Sequence, residues 1–261
     1  MARIAVAGAT GRVGRHVVDV LNEGGHDVVA ISRSNGVDVI TGEGLAAALE
    51  GMEMVIDTST GPSAEQGPAT EFFTTASKNL QEAGARAGVR KLVVVSIIGT
   101  DKYTAGYGAA KVAHERAALA GPVPARILRA AQFHEFVEVL MTWGRQGDVV
   151  YLPTMRTQLV AARTVAEALA TLALASEPGS APEPGSAAAG APIAEIAGPR
   201  EEYLPAMAEL LAARRGDPVK IEAVSNPADP DDALNFNGGL LPSPHATLAG
   251  PTFAEWLDAT H

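Results

Sequence analysis

Three residues in the middle of the chain have the types and spacing for proton transfer to an oxygen atom. Tyr107 and Lys111 stand four apart in Tyr107-Gly108-Ala109-Ala110-Lys111, so on a helix they share one face. An ammonium one turn from a phenol lowers the phenol pKa. The phenol can then give a proton to an oxygen that gains electron density, while a nearby hydroxyl orients that oxygen. Ser96 ends the apolar run Lys91-Leu92-Val93-Val94-Val95-Ser96 and is placed to supply that hydroxyl. His134, in Gln132-Phe133-His134-Glu135-Phe136, is a second proton donor by type, since imidazole titrates near neutrality. Each has a plainer alternative. Tyr107 can be a packing aromatic at a helix start and Lys111 a surface charge. His134 can be an imidazole bonded to a backbone carbonyl, with Phe133 and Phe136 lining a wall.

A second constellation lies at the start. The apolar run Ile4–Ala7 breaks into Gly8-Ala9-Thr10-Gly11-Arg12-Val13-Gly14, and a helical pattern follows with Val13, Val17, Val18 and Leu21 on one face. That order is strand, glycine turn, helix. Gly8 permits a sharp turn, Gly11 lets a pyrophosphate approach the backbone, and Gly14 lets the helix pack close to the strand. The free N–H groups and dipole of the helix start favour an anion. A second strand, Asp27-Val28-Val29-Ala30-Ile31, follows at βαβ distance and supports a dinucleotide site. Its tip reads Ile31-Ser32-Arg33-Ser34, with no carboxylate before Asp38. An acidic residue at this point would bond a ribose 2′-hydroxyl, whereas the Arg33 guanidinium can fork onto a 2′-phosphate. The expected cofactor is therefore NADP(H), with Arg12 of the glycine loop as a further contact.

The elements that must position these groups alternate between strand and helix patterns, which predicts an α/β fold with a parallel sheet. Strands are expected near 3–7, 27–31, 37–40, 54–58, 91–96 and 125–129, with helices near 12–24, 44–49, 67–87 and 107–120. The 54–58 strand ends in the polar tip Thr58-Ser59-Thr60. Regularity falls after residue 130: a helix near 133–145, short strands near 149–151 and 158–161, a helix near 164–175, a strand near 193–196 and a helix near 201–215. Residues 176–192 are low-complexity and read as a surface insertion. Residues 1–130 are expected to form the cofactor-binding core, and 131–261 a smaller cap region interleaved with late core elements. Met141, Trp143, Met155 and Phe236 are apolar residues that could line a substrate wall or belong to the core.

Composition narrows the classes. The 261 residues include no Cys, which excludes thiolate catalysis, disulfides and Cys-ligated metals. The remaining histidines show no metal-ligand spacing, no metal is expected, and Asp229-Pro230-Asp231-Asp232 reads as a turn rather than a calcium loop. No Gly-x-Ser-x-Gly elbow occurs, which disfavours acyl hydrolysis. A net charge of −10 without a basic block argues against nucleic acid. No apolar run reaches the ~20 residues of a membrane span. Ile4–Ala7 is too short for a signal sequence, so a cytoplasmic protein without a membrane partner is expected.

Gly8-Ala9-Thr10-Gly11-Arg12-Val13-Gly14, Ser32-Arg33, Val95-Ser96-Ile97-Ile98-Gly99, Tyr107-x-x-x-Lys111 and Ile127-Leu128-Arg129-x-x-Gln132-Phe133 together resemble the atypical short-chain dehydrogenase/reductase group. Within it the chain resembles the NmrA-like and NAD(P)H:quinone-oxidoreductase-like branch. The resemblance implies a Rossmann-type doubly wound parallel sheet. It implies NADP-type cofactor contacts at Gly8, Thr10, Gly11, Arg12, Val13, Arg33, Thr58, Ser59, Ser96 and Lys111, to which the glycine motif adds Gly14. The Ser96 to Tyr107 interval is shorter than in ordinary short-chain dehydrogenases. The branch holds quinone reductases, reductases of aromatic compounds and members that bind cofactor without turnover.

The expected activity is NADPH-dependent hydride transfer to a quinone or polycyclic aromatic ketone, with a role in aromatic natural-product tailoring as a further expectation. Tyr107 or His134 gives the proton, Lys111 holds the ribose and Ser96 orients the carbonyl. The alternatives are an NADP(H)-binding redox sensor acting through a protein partner, and an epimerase or dehydratase that retains its cofactor. A monomer or a homodimer is expected.

Overall fold

The structure, a computed structural model, describes residues 1–175 and 193–260. The expected insertion at 176–192 lies outside the described residues. The chain opens with β1 (Arg3–Ala7), α1 (Gly14–Glu23), β2 (Asp27–Ile31), α2 (Leu45–Leu49), β3 (Met54–Asp57), α3 (Gln66–Ala87), β4 (Lys91–Ile97), α4 (Gly106–Leu119) and β5 (Ala125–Ala130). Then come α5 (His134–Gly144), β6 (Arg145–Gln146), β7 (Val149–Pro153), β8 (Arg156–Thr157) and α6 (Ala162–Leu174). The last elements are β9 (Ile193–Ala197), β10 (Glu202–Tyr203), α7 (Leu204–Arg215), β11 (Lys220–Val224), α8 (Asp232–Phe236), β12 (Thr247–Leu248) and α9 (Phe253–Thr260).

Seven strands form one sheet in the order β12-β9-β5-β4-β3-β1-β2, a Rossmann-type α/β fold. β1 pairs in parallel with β2 on one side and β3 on the other, and β3 pairs in parallel with β4. The chain winds outward from β1 to β2 and then crosses back to β3. The order therefore reverses between β1 and β3, and ligands bind such folds outside the carboxyl ends of strands at that reversal. β3 is buried throughout and β1 after Arg3, and both are apolar apart from Asp57 and Arg3 at their ends.

The described residues fall into two compact units. One draws on Met1–Ser96, Ala110–Arg129 and the described part of 166–194. Its core includes Ile31, Leu45, Leu49, Leu80, Leu92 and Ile127. Fully burying one such Leu or Ile contributes about 1.5–3 kcal/mol. The other unit draws on Ile97–Ala109, Ala130–Val165 and the described part of 195–261. Its core includes Val137, Leu152, Leu159, Leu204, Leu211 and Phe253. Two small sheets, β10-β8 and β11-β7-β6, belong to this second unit. No helix among the described residues is long and apolar enough to cross a membrane.

Several expectations are corrected. Residues 37–40 form a turn rather than a strand. The Asp38 carboxylate accepts from the Ile40 N–H at 2.7 Å, and Asn79 donates to the carbonyls of Val39 and Ile40. The apolar pattern there came from Val37 and Val39 packing on the core, not from sheet pairing. Near 158–161 the strand shrinks to one bridge, Phe133 to Val160, and the pairing moves to β8. The 201–215 helix starts at Leu204, because Glu202 and Tyr203 pair with β8.

Candidate active site

The glycine loop is held where strand and helix must nearly touch. Gly8 has φ +73°, and a Cβ there would come within 2.8 Å of the Ser59 backbone. A Cβ on Gly14 would overlap the Gly8 carbonyl, so only glycine lets α1 start this close to the loop. No side chain caps α1 among the described residues, and its first turn holds no acidic residue. The Arg15 N–H donates to the Gly11 carbonyl at 3.2 Å, and the positive end of the helix dipole at this loop favours an anion. The Gly8 and Ala9 N–H groups donate to the Ile31 carbonyl at 3.1 and 3.3 Å, which brings the β2 tip beside the loop. Arg33 follows that tip and is exposed, as are Thr10 and Arg12, whereas Val13 is buried under the loop. The Ser32 and Ser34 hydroxyls lie 2.8 Å apart.

The β3 end forms the other wall. The Thr58 N–H and hydroxyl both donate to the Ala7 carbonyl, at 2.9 and 2.8 Å. The Ser59 hydroxyl donates to Asp57 at 2.5 Å, and its N–H donates to the same carboxylate oxygen at 2.9 Å. From Asp57 a buried polar chain runs onward. Asp57 Oδ2 lies 3.3 Å from His114 Nε2, and His114 Nδ1 lies 2.8 Å from Lys111 Nζ. Lys111 Nζ donates to the Val95 carbonyl at 2.9 Å. Phe73 of α3 stacks on His114, with ring centres 4.5 Å apart, and its face lies 4.4 Å from Lys111 Nζ. The next residue after Val95 is Ser96, whose hydroxyl is buried with no hydrogen-bond partner among the described residues. Buried hydroxyls are nearly always paired, which sets this one apart from its neighbours.

The electrostatics follow from burial. Desolvation pushes the Lys111 ammonium down to about 8, against the pull of Asp57 and Glu115. Desolvation and the Lys111 charge push His114 down, outweighing Asp57, so the imidazole is neutral at pH 7. Burial pushes the Asp57 carboxyl up, but hydrogen bonds from His114 and Ser59 outweigh it and hold the group below its ordinary value. Glu115 faces inward from the same helix and takes a two-pronged ion pair from Arg129, at 2.9 and 2.7 Å.

In the second unit, Tyr107 lies half-buried in the first turn of α4, and Lys111 follows one turn along that helix. The α4 start is tied down by Asp231. Its carboxylate accepts the Thr104 and Ala105 N–H groups at 2.7 and 2.8 Å and the Thr104 hydroxyl at 2.9 Å. Tyr103, four residues before Tyr107, donates to Asn235 at 2.5 Å, and burial pushes its phenol well above the ordinary value.

His134 sits in different surroundings. Its ring is buried at 1% exposure against the stacked pair Phe253 and Trp256, and its Nε2 lies 3.1 Å from the Pro251 carbonyl. Desolvation pushes it down to about 4. Met141 belongs to this unit's core and Met155 packs on it, while Trp143 and Phe236 are exposed.

The sequence reading missed Asp57, Phe73, His114 and Asp231. A signal for one of them, His114, was present. The buried α4 face runs Ala110, Lys111, His114, Glu115, Ala118, so two alanines at helical spacing frame three ionisable residues that face the core. Asp231 carried no such signal, because its partners are far away in sequence.

Residues 8–131 match the family model described as NAD(P)H-binding. That stretch is similar to NAD(P)H-binding domains, in agreement with the short-chain dehydrogenase/reductase resemblance of the sequence. A curated relative, the photosystem II assembly factor Ycf39 of Synechocystis sp., is 31% identical over 115 residues. The match spans 39% of this chain and only 35% of that protein. The NADPH-dependent quinone oxidoreductase QOR2 of Escherichia coli, solved with NADPH, shares the fold with a TM-score of 0.69 at 18% identity, over 98% of this chain and 99% of that one. The UDP-N-acetylglucosamine 4-epimerase of Bacillus cereus does so with a TM-score of 0.67 at 15% identity, over 100% and 96%. At such identities the likeness concerns the fold alone.

Proposed function

We propose that the protein is an NADPH-dependent reductase that passes hydride to a quinone or polycyclic aromatic ketone. The observation that carries the reading is the polar chain from Ser59 through Asp57, His114 and Lys111 to the Val95 carbonyl, with the Ser59 backbone packed against Gly8 and the unpaired Ser96 next in sequence after Val95. It joins a pyrophosphate-type loop to groups suited to a ribose and a carbonyl. The dinucleotide, when bound, supplies the hydride. Gly8, Gly11, Gly14 and the start of α1 hold the pyrophosphate, with Thr10, Arg12 and Val13 around them. Thr58 and Ser59 form the wall at the β3 end. Arg33 is exposed, and no salt bridge engages it among the described residues, which leaves its guanidinium available to a 2′-phosphate. The Lys111 ammonium binds the ribose hydroxyls. The Ser96 hydroxyl donates to the carbonyl oxygen, and Tyr107 delivers the proton to that oxygen. His134 is neutral at pH 7 and bonded to a backbone carbonyl, so Tyr107 is the better donor. A quinone needs only modest acid assistance, because its reduced oxygen is a stabilised phenolate. Residues from 131 onward supply substrate recognition.

The test is turnover of NADPH and NADH with a panel of quinones. NADPH consumption that depends on quinone supports the reading. Tight binding of the cofactor without consumption under any acceptor overturns it. An epimerase or dehydratase that retains its cofactor is the second reading, favoured by the Tyr107–Lys111 spacing and by the fold shared with a sugar-nucleotide epimerase. Such a protein purifies with bound nicotinamide and oxidises no NADPH.

A further inference from the structure

We infer that His114 and Asp57 are positioning residues for Lys111: a neutral His114 gives its Nε2 proton to Asp57 and takes an N–H of the Lys111 ammonium at Nδ1. The hydrogen-bonding capacities allow this arrangement without a clash of protons. An ammonium only donates, and a carboxylate only accepts. The imidazole between them must therefore accept on one nitrogen and donate from the other, and the contacts of 2.8 and 3.3 Å assign which is which. An imidazolium in this place would point an N–H at the ammonium. Lys111 then spends one N–H on the Val95 carbonyl and one on His114, and among the described residues no third hydrogen-bond acceptor is present, only the Phe73 face at 4.4 Å. The third N–H is left for a ribose hydroxyl. Phe73 completes the clamp by stacking on His114 and presenting its face to Nζ.

The charged groups around His114 are Asp57 at the end of β3, and Lys111 and Glu115 on α4, with Glu115 paired to Arg129 of β5. Phe73 contributes no charge from α3. Asp57 thus balances the one cation in the cluster that Arg129 and Glu115 do not already neutralise between themselves. Its role is to keep a buried lysine charged in the pH range where a cofactor is bound. The effect on the cofactor rests on the reading of Lys111 given above, whereas the proton arrangement does not.

The experiment uses the full chain with isotope-labelled histidine and lysine. NMR of the free protein reads the His114 tautomer and the Lys111 titration, and NADPH affinity is measured from about pH 6.5 to about pH 9.5. The expected spectrum shows His114 in a single neutral form protonated at Nε2. Lys111 titrates near 8, and NADPH affinity falls as the pH rises through that value. Asp57→Asn keeps an acceptor for the imidazole but removes the charge, and lowers the Lys111 midpoint by about one unit. His114→Phe keeps the stack on Phe73 and also lowers it. A merely structural role would change thermal stability and leave the midpoint in place. An imidazolium, an Nδ1-protonated tautomer, or a midpoint unmoved in both variants overturns the inference. The expected tautomer and shifts in a protein that binds neither NADPH nor NADH would support the inference while refuting the cofactor reading.

Discussion

The two buried histidines among the described residues, His114 of one unit and His134 of the other, look alike by exposure and differ in their neighbours. His114 bridges an ammonium and a carboxylate, in a cluster that runs to the glycine loop. His134 lies against Phe253 and Trp256, with one bond to the Pro251 carbonyl and no partner for Nδ1 among the described residues. Both are pushed down by desolvation. Burial therefore says little about function, and the neighbours decide. A ring whose two nitrogens link opposite charges organises a site, whereas a ring packed among aromatics and tied to a carbonyl holds a loop.

The largest break in this contrast comes from the partner of His114. Lys111→Met strips the cluster of its cation and leaves Asp57 buried with only its hydrogen bonds from Ser59 and His114, a loss of at most about 3–5 kcal/mol. Chemical denaturation should show that fall, and titration should show NADPH affinity down by about tenfold to a hundredfold. Tyr107→Phe should lower kcat by about 10²–10⁴-fold and leave NADPH affinity nearly intact. Equal activity in that variant would remove Tyr107 as the proton donor. Arg33→Ala should weaken NADPH by about 1.5–3 kcal/mol and NADH hardly at all. Equal losses for both would contradict the assignment of Arg33 to the 2′-phosphate.

The smaller effects belong to His134. Its folded pKa of about 4 lies below the ordinary value of 6.5, so the unfolded chain binds more protons between those values. Stability is therefore fully present above pH 6.5 and declines as the pH falls toward 4, by at most on the order of 3 kcal/mol. His134→Phe should flatten that acid limb in pH-dependent denaturation and change kcat less than Tyr107→Phe does. A larger loss of kcat than stability would return His134 to the reaction.

The βαβ start was legible because its signals are local. Glycines 8, 11 and 14, the apolar run before them and the second strand all lie within a short span of sequence. The long helix α3 and strand β4 were legible by their length and periodicity. The turn at 37–40 was misread because two core-packing valines imitate a strand, while the groups that satisfy its backbone, Asp38 and Asn79, give no periodic signal. The site divides in the same way. Ser96, Tyr107 and Lys111 are named by spacing along one stretch. Asp57 and His114 meet only because β3 and α4 are folded together, and Phe73 joins them from α3. Small strands such as β8 and β10 exist through pairing with each other, and two residues carry no pattern of their own.

The most direct measurement is the loss of reduced-nicotinamide absorbance when the full chain is mixed with NADPH and a quinone, with NADH and Tyr107→Phe run alongside. The expected result is quinone-dependent oxidation that prefers NADPH and nearly vanishes in the variant. Tight NADPH binding with no oxidation under any acceptor, or oxidation untouched by Tyr107→Phe, would contradict it.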